Sequence, residues 1–247
     1  MKKKTPSFII TVESWKMRSS LVLFSGGIDS TTALYWALDR ADKVFALTFD
    51  YSQRHAVEID LAKKQLQKLK VAHKVLRIDL GQIGGSALTE RNIPLPEFER
   101  IEEIKEEIPA TYVPFRNGIF LSLAAAWAEV KDIREIVCGF NTVDSPNYPD
   151  AQESFVEAME KAINLGSKAI STGKSIRILA PFVNMKKSEI IEKGLSLGAD
   201  YSYSISCYAG DEIPCQRCSS CIIRQKAWEE VGRRDPLLSR LEKEGKL

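Results

Sequence analysis

The chain has 247 residues, 44% of them hydrophobic, which suffices for one large domain or for one domain with a small appendage. Lys and Arg number 35 against 33 Asp and Glu, so the formal net charge is only +2 and gives no reason to expect a broad nucleic-acid-binding surface. The apolar runs at 8–12 and 21–24 are too short to span a membrane, and no segment resembles a signal peptide. These features favour a globular cytoplasmic protein that acts on a small polar molecule, without direct contact to nucleic acid or membrane.

In chain order, residues 1–20 form a lysine-led extension with one β-like run at 8–12, and alternating strands and helices follow. The predicted strands are 21–24, 44–49, 75–80, 135–140 and 176–179, and the helices after the first are 56–69, 118–130, 151–165, 186–197 and 219–231. This alternation predicts an α/β fold, a doubly wound, mostly parallel Rossmann-like sheet with helices on both faces. We expect 21–200 to form this nucleotide-binding domain and 201–247 to form a C-terminal metal-binding segment packed on it.

The first strand leads into the sequence Ser25-Gly26-Gly27-Ile28-Asp29-Ser30 and then into a helical pattern. Two glycines permit a tight turn that brings the backbone close to a ligand, and the helix start offers free N–H groups to an anion. The loop therefore predicts a phosphate site. It lacks the lysine of a Walker A loop and the third glycine of a dinucleotide fingerprint. An ordinary βα turn with a Ser or Asp cap is the alternative interpretation.

Polar residues follow the ends of other predicted strands, where ligands of open α/β sheets bind. Asp50 is either a contact to ribose or adenine or a turn residue, and Asn141 follows the end of the fourth strand. Four residues after Asp50 carry an aromatic ring, an amide, a guanidinium and an imidazole: Tyr51, Gln53, Arg54 and His55. These residues are either recognition groups or the solvated start of a helix.

Two further loops carry candidate binding residues. Arg116 precedes an alanine-rich helix, where a planar, permanently charged group suits a phosphate or a carboxylate, although surface ion pairing is the usual role of arginine. Asn117 is a suitable N-cap for that helix. The loop 141–150 contains Asp144, Tyr148 and Asp150, which suit the amine and ring face of a purine-like molecule, although turn chemistry explains this loop equally well.

Four of the five cysteines lie close together near the C-terminus, at Cys207, Cys215, Cys218 and Cys221. Spacings of two residues allow successive thiolates to bind one ion, and the longer spacing brings in the fourth ligand of a tetrahedron. Four protein ligands leave no position for an activated water, so we predict one structural Zn²⁺ per chain. An iron–sulfur cluster and a redox CxxC motif are the competing interpretations.

Taken in order, the segments SGGIDSTT, FDYSQRH, TYVPFRN, NYPD and CYAG…CQRCSSCIIR resemble the 7-cyano-7-deazaguanine (preQ0) synthase family of the ATP pyrophosphatase, or PP-loop, superfamily from about residue 20 to 236. The resemblance implies an AMP-forming ligase that converts 7-carboxy-7-deazaguanine and ammonia to the nitrile, through an adenylated acid and an adenylated amide. It places this reaction on the route to queuosine or archaeosine, with ATP, Mg²⁺ and Zn²⁺ as cofactors, and implies a homodimer.

The same resemblance implies roles for individual residues. Asp29 and Arg116 are the predicted catalytic residues. The predicted nucleotide site comprises Phe24, Ser25, Gly26, Gly27, Asp29, Ser30, Thr31, Thr32 and Asp50. The predicted substrate site comprises Tyr51, Gln53, Arg54, His55, Arg116, Asn117, Asp144, Tyr148 and Asp150.

The chain departs from the family pattern in the loop 145–152, which reads SPNYPDAQ where the family usually has Ser-Gly-Tyr-Pro-Asp-Cys-Arg. Ser52 also replaces a usual glycine. Because these departures concern the acceptor side of the site, two alternatives stay open: a related PP-loop enzyme that adenylates tRNA or another acceptor, and a non-catalytic nucleotide-binding interaction protein.

Overall fold

The computed structural model describes residues 18–104, 107–144 and 147–247, so the β-like run predicted at 8–12 lies outside the described residues. The strands are β1 (Ser19–Leu23), β2 (Lys43–Asp50), β3 (Ala72–Arg77), β4 (Glu135–Val137) and β5 (Arg177–Leu179). The α-helices are α1 (Ile28–Arg40), α2 (Val57–Lys68), α3 (Arg116–Lys131), α4 (Glu153–Gly166), α5 (Ala169–Thr172), α6 (Lys187–Ser196), α7 (Ser219–Val231) and α8 (Pro236–Lys243). Short 3-10 helices lie at Leu80–Gln82, Ile101–Glu103 and Pro149–Ala151.

The five strands form one parallel sheet in the order β3-β2-β1-β4-β5. Leu21 of the central strand β1 aligns with Phe45 of β2 on one side and with Ile136 of β4 on the other. The strand order reverses beside β1, and the loops after β1 and β4 diverge there to leave a crevice.

Successive residues of a strand point to opposite faces of the sheet. Leu21 and Ile136 pack on one face with residues of α3 and α4, whereas Val22 and Val137 pack on the other face with residues of α1, α2 and α6. Both faces are therefore covered, which confirms the predicted doubly wound α/β fold.

Several element boundaries differ from the predicted ones. β3 lies at 72–77 instead of 75–80, and β4 ends at 137. The prediction that Asn117 caps α3 was wrong: the helix begins at Arg116, and Phe115 is its N-cap with the left-handed φ of 53°. The charged tail forms α8, whose start combines a capping Asp235 with Pro236. This pairing is a typical helix start that the polar composition of the tail concealed.

The C-terminal segment packs against the helices of the sheet. Trp228 of α7 stacks edge-on against Tyr201 with ring centroids 5.5 Å apart. The cysteines share a buried cluster with Leu61 of α2 and with Leu237 and Leu241 of α8. No helix in the described part of the chain is both long and apolar enough to cross a membrane.

Candidate active site

A cavity of about 830 Å³ opens at the carboxyl ends of the strands. Its size is in the range of sites that enclose a small organic ligand. The lining brings together residues from the β1–α1 loop, the β2–α2 loop, α3, the loop after β4, α6 and the cysteine segment, including Phe24, Ser25, Gly27, Asp29, Ser30, Tyr51, His55, Glu58, Arg116, Asn117, Asp144, Tyr148, Lys187, Tyr208 and Arg224.

The loop between β1 and α1 is held by its own side chains. Gly26 has a left-handed φ of 84° and lies against α2, since a Cβ there would be 3.2 Å from that of Ala62. The Ser30 hydroxyl accepts a hydrogen bond of 3.1 Å from the Gly26 amide, and the Ser25 hydroxyl accepts one of 3.3 Å from the Gly27 amide. The N-terminus of α1 therefore faces the cavity in a fixed conformation suited to an anion.

Lys187, at the start of α6, reaches this loop through its side chain. Its Nζ is 2.5 Å from Asp29 Oδ2, and its backbone amide donates a hydrogen bond of 2.5 Å to Asp144 Oδ2. The second oxygen of Asp29 is buried and has no hydrogen-bond partner among the described residues. Burial raises the pKa of the Asp144 carboxyl group. Lys187 therefore contacts two carboxylates beside the glycine loop, Asp29 through its ammonium group and Asp144 through its backbone amide.

Lys187 was not among the site residues predicted from the sequence. Its pair with Asp29 joins residues 158 positions apart, so nothing local predicts the contact. A lysine in the first turn of a helix after a strand end was the available signal, because helix starts usually favour acidic residues over basic ones.

Arg116 projects into the cavity among aromatic rings. Its Nη1 donates a hydrogen bond of 3.3 Å to the Tyr51 hydroxyl, and its guanidinium carbon is 5.7 Å and 5.9 Å from the ring centroids of Tyr51 and Phe120. Burial raises the pKa of Tyr51 to about 12, so that phenol stays neutral. No carboxylate of the described residues forms an ion pair with Arg116, and its positive charge is therefore free to bind an anion.

His55 and Glu58 form a buried polar pair next to Arg116, with His55 Nε2 3.4 Å from Glu58 Oε1. Burial lowers the pKa of His55 to about 4 and raises that of Glu58 to about 8. Glu58 was not among the site residues predicted from the sequence, although its position three residues after His55 places both side chains on one face of the helix start.

Other predicted binding residues make contacts within the scaffold. Gln53 accepts a hydrogen bond of 2.7 Å from the Tyr51 amide and donates to the Phe49 carbonyl group at 3.2 Å. Arg54 donates to two carbonyl groups of the long β3–α3 excursion, those of Glu90 at 2.6 Å and Ile93 at 2.7 Å. These bonds shape the wall of the cavity, and neither side chain lines it.

Four further predicted residues lie behind the cavity surface. Thr31 donates to Gln65 at 3.3 Å, and the Thr32 hydroxyl is 2.7 Å from that of Tyr201, so both hold α1 in place. Asp50 lies 3.4 Å from Arg77 on the outer side of β2. The carboxylate of Asp150 accepts a hydrogen bond of 2.9 Å from the Asn117 amide and thus satisfies the first turn of α3 in place of the predicted cap.

The four cysteine sulfur atoms lie within 4.8 Å of one another. Cys207 Sγ accepts hydrogen bonds from the amides of Ala209 at 3.4 Å and Cys215 at 3.3 Å, and Cys215 Sγ accepts one from the Cys218 amide at 3.3 Å. Four convergent sulfur atoms with amide donors around them suit thiolates bound to one tetrahedral metal ion.

The cysteine segment also contacts the glycine loop. The amide of Ile205 donates a hydrogen bond of 3.1 Å to the Gly26 carbonyl oxygen. Arg224, buried and paired with Asp235 at 2.5 Å, donates to Ser206 at 3.4 Å. The segment that a metal ion would hold together therefore contacts the glycine loop directly.

A parallel sheet whose first strand ends in a Ser-Gly-Gly-x-Asp-Ser loop, with a cavity at the point where the strand order reverses, defines a nucleotide-binding α/β protein of the PP-loop type. The family model described as queuosine biosynthesis protein QueC matches residues 19–232. The chain belongs to this family, as its motifs predicted.

Curated relatives match nearly their whole length. The chain is 44% identical over 220 residues to the 7-cyano-7-deazaguanine synthase of Trichodesmium erythraeum, covering 89% of this chain and 99% of the relative. It is 43% identical over 222 residues to the enzyme of the same name from Saccharophagus degradans, covering 89% and 96%. Among solved structures, a 4-thiouridine synthetase–RNA complex with bound ATP is 21% identical with a TM-score of 0.47, over 93% of this chain and 53% of that chain.

Proposed function

We propose that the protein is a 7-cyano-7-deazaguanine synthase, an ATP-dependent ligase that converts 7-carboxy-7-deazaguanine and ammonia to the nitrile with release of AMP and pyrophosphate. The observation that carries this proposal is that the phosphate-type loop and the unpaired Arg116 face the same cavity. Such a cavity can hold ATP and an organic acid side by side. Membership of the family supports the identity of the acid.

The reaction requires activation because a carboxylate oxygen is a poor leaving group. Attack of that oxygen on the α-phosphate of ATP releases pyrophosphate and turns the oxygen into part of a good leaving group, AMP. Ammonia then displaces AMP to give the amide. A second adenylation, on the amide oxygen, permits elimination to the nitrile, so both rounds use one phosphate site.

In this proposal the β1–α1 loop holds the departing pyrophosphate through its amides and the hydroxyls of Ser25 and Ser30. Lys187 neutralises the phosphate charge that develops. The buried, unpartnered oxygen of Asp29 suits a hard divalent cation, so Mg²⁺ bound with ATP would be held there and would neutralise phosphate charge.

Arg116 is the proposed partner of the substrate carboxylate. A planar guanidinium binds a carboxylate through two parallel hydrogen bonds and holds it in a defined orientation. The rings of Tyr51, Phe120, Tyr148 and Tyr208 around it provide faces for a planar bicyclic base. Asp144 and Tyr148 are the proposed contacts to the polar edge of that base.

The cysteine cluster is proposed to bind one structural Zn²⁺ per chain, which would hold the segment around Cys207 to Cys221 against the glycine loop. Metal analysis of the purified protein tests this, since an iron–sulfur cluster would absorb visible light and colour the protein. A homodimer is the proposed assembly, which light scattering in solution would measure.

The decisive experiment is incubation with ATP, Mg²⁺, ammonia and 7-carboxy-7-deazaguanine, with the nitrile and AMP detected by mass spectrometry. Formation of ADP in place of AMP would contradict the proposed loop chemistry. Asp29→Ala should abolish turnover without loss of folding, whereas Asp39→Ala, at an exposed position of the same helix, should not. Activation of tRNA instead of the free acid would identify a related PP-loop enzyme.

A further inference from the structure

Glu58 lies in the wall of the cavity between the glycine loop and Arg116. Its side chain is only 11% exposed. Its backbone carbonyl oxygen is 3.5 Å from the position that a Cβ of Gly26 would occupy, so the first turn of α2 lies directly beside the loop. A carboxyl group in this location is within the site where the acid would be activated, and the reaction described above assigns it no role.

Among the described residues, the hydrogen-bond partners of Glu58 lie at one of its two oxygens. Oε1 accepts a bond of 3.0 Å from Gln53 Nε2 and lies 3.4 Å from His55 Nε2. No described residue donates a hydrogen bond to Oε2, and no described lysine or arginine forms an ion pair with Glu58. A buried carboxylate is costly without a cationic or hydrogen-bonding partner. A ligand that donates hydrogen bonds to this oxygen therefore stabilises the ionised form of Glu58.

Glu58 and Arg116 lie in the same part of the cavity, so a small cation at Glu58 would sit beside the acid whose negative charge the proposed function places at Arg116. The titratable and charged neighbours in this part of the cavity are His55 and Tyr51 from the β2–α2 loop, Arg116 from α3 and Tyr208 from the cysteine segment. His55 is neutral because burial lowers its pKa to about 4, and Arg116 is bonded to Tyr51 instead of Glu58. The aromatic rings of Tyr51 and Tyr208 present faces that attract cations.

Ammonium is the small cation that this reaction consumes. Ammonia is almost entirely protonated to ammonium at neutral pH, yet only neutral ammonia has the lone pair that attacks an acyl carbon. An ordinary carboxylate is too weak a base to remove its proton. Burial raises the pKa of Glu58 to about 8, which brings its basicity much closer to that of ammonia.

Resting on the function proposed above, we infer that Glu58 binds ammonium through its free oxygen and acts as the base that converts it to ammonia. The proton moves from ammonium to Glu58, and the nitrogen lone pair forms the C–N bond to the adenylated acid. The bond from that carbon to the AMP oxygen breaks, and AMP leaves with the electron pair. The nitrogen then loses its extra proton to solvent, and Glu58 later releases its own.

Glu58→Gln tests this role because it preserves size and removes the basic oxygen. The matched control is Asp60→Asn on the same helix, whose carboxylate is 72% exposed and faces solvent. Three measurements are needed: acid-dependent exchange of pyrophosphate into ATP, which needs no ammonia; amide and nitrile formation as a function of ammonium concentration; and hydroxamate formation with hydroxylamine, a nucleophile that is largely neutral at pH 7.

We expect Glu58→Gln to retain the exchange and the reaction with hydroxylamine within about twofold, and to lose about 10²-fold or more in the rate with ammonium. Asp60→Asn should behave as wild type in all three. Equal losses with ammonium and hydroxylamine, or a loss of exchange, would overturn the inference and place Glu58 in acid or nucleotide binding. An unaltered rate with ammonium would overturn it as well.

Two controls separate this inference from other failures. Absence of acid-dependent exchange in the wild-type protein would refute the proposed function itself, whatever the role of Glu58. If Glu58→Gln does not fold, Glu58→Asp decides the question. It keeps a carboxylate but withdraws it by one methylene, and it should show the same selective loss with ammonium at a smaller magnitude. A uniform loss, or none, would contradict the role.

Discussion

Gly139 follows β4 at the point where the strand passes the start of α1. A Cβ at this position would be 2.6 Å from the carbonyl carbon of Asp29 and 2.8 Å from the amide nitrogen of Ser30. These contacts are with backbone atoms of the first helical turn, which cannot rotate away as a side chain would. Gly139→Ala must therefore move the start of α1 away from β4.

The expected cost follows from this geometry. Insertion of a methyl group into a packed region that has to shift typically costs about 1–3 kcal/mol. For a chain of this length each kcal/mol lowers Tm by about 2–4 °C, so we expect a fall of about 2–12 °C. The shift should also displace the amides of the glycine loop, because the loop and the helix start are continuous. A displacement of about 1 Å in a catalytic site can reduce the rate by about 10²-fold.

The assay is thermal unfolding together with acid-dependent pyrophosphate exchange as a function of ATP concentration. Gly166→Ala is the matched control: it makes the same change at the end of α4, where a Cβ would meet no atom within 4 Å. It should leave exchange unaltered and change stability by no more than about 1 kcal/mol. Wild-type Tm and wild-type KM for ATP in Gly139→Ala would refute the close packing of β4 on α1.

Lys187→Met should reduce exchange by about 10²-fold through loss of phosphate neutralisation, whereas Lys186→Met, at an exposed position beside it, should not. Arg116→Lys keeps the charge but loses the planar fork, so the KM for the acid should rise about tenfold or more in the same assay while that for ATP changes little. Cys215→Ser, or removal of the metal by a chelator, should lower Tm and raise the KM for ATP, because the folded segment bonds to the Gly26 carbonyl group. Burial raises the pKa of Glu58 from 4.5 to about 8, so between these pH values the folded protein keeps a proton that the unfolded chain releases. The free energy of unfolding that this group contributes therefore falls as the pH rises. The Tm of Glu58→Gln relative to wild type should therefore increase between about pH 5 and pH 8, measured by calorimetry.

The fold could be predicted because its signals are local. Apolar runs of strand length alternate with segments of helical periodicity, and that order alone specifies a parallel sheet with helices on both faces. The glycine loop and the cysteine spacing are local as well, and each carries its own chemistry in a few consecutive residues. The predicted ends of helices and strands were less accurate because tertiary contacts determine them. Examples are the contact of Gly139 with α1 after β4 and the bond of Asp150 to the first turn of α3.

The composition of the site could be predicted only in part. Gln53 and Arg54 have the chemistry of recognition residues, but Gln53 bonds to the Phe49 carbonyl group and to Glu58, and Arg54 bonds to carbonyl groups of the excursion before α3. Lys187 and Glu58 were missed for the converse reason. Each is an ordinary surface-type residue in the sequence, and only the packing of α6 and α2 against the loop turns them toward the cavity.

The glycine loop is supported from three sides before any ligand binds. Gly139 packs on the start of α1, Ala62 of α2 packs on Gly26, and the Ile205 amide binds the Gly26 carbonyl group. The loop therefore does not need to reorganise to receive phosphate. The pair between Lys187 and Asp29 lies beside this loop, and the ammonium group keeps two further N–H donors for the phosphate proposed to bind there. The second oxygen of Asp29, which has no hydrogen-bond partner among the described residues, would hold the cation proposed to accompany ATP.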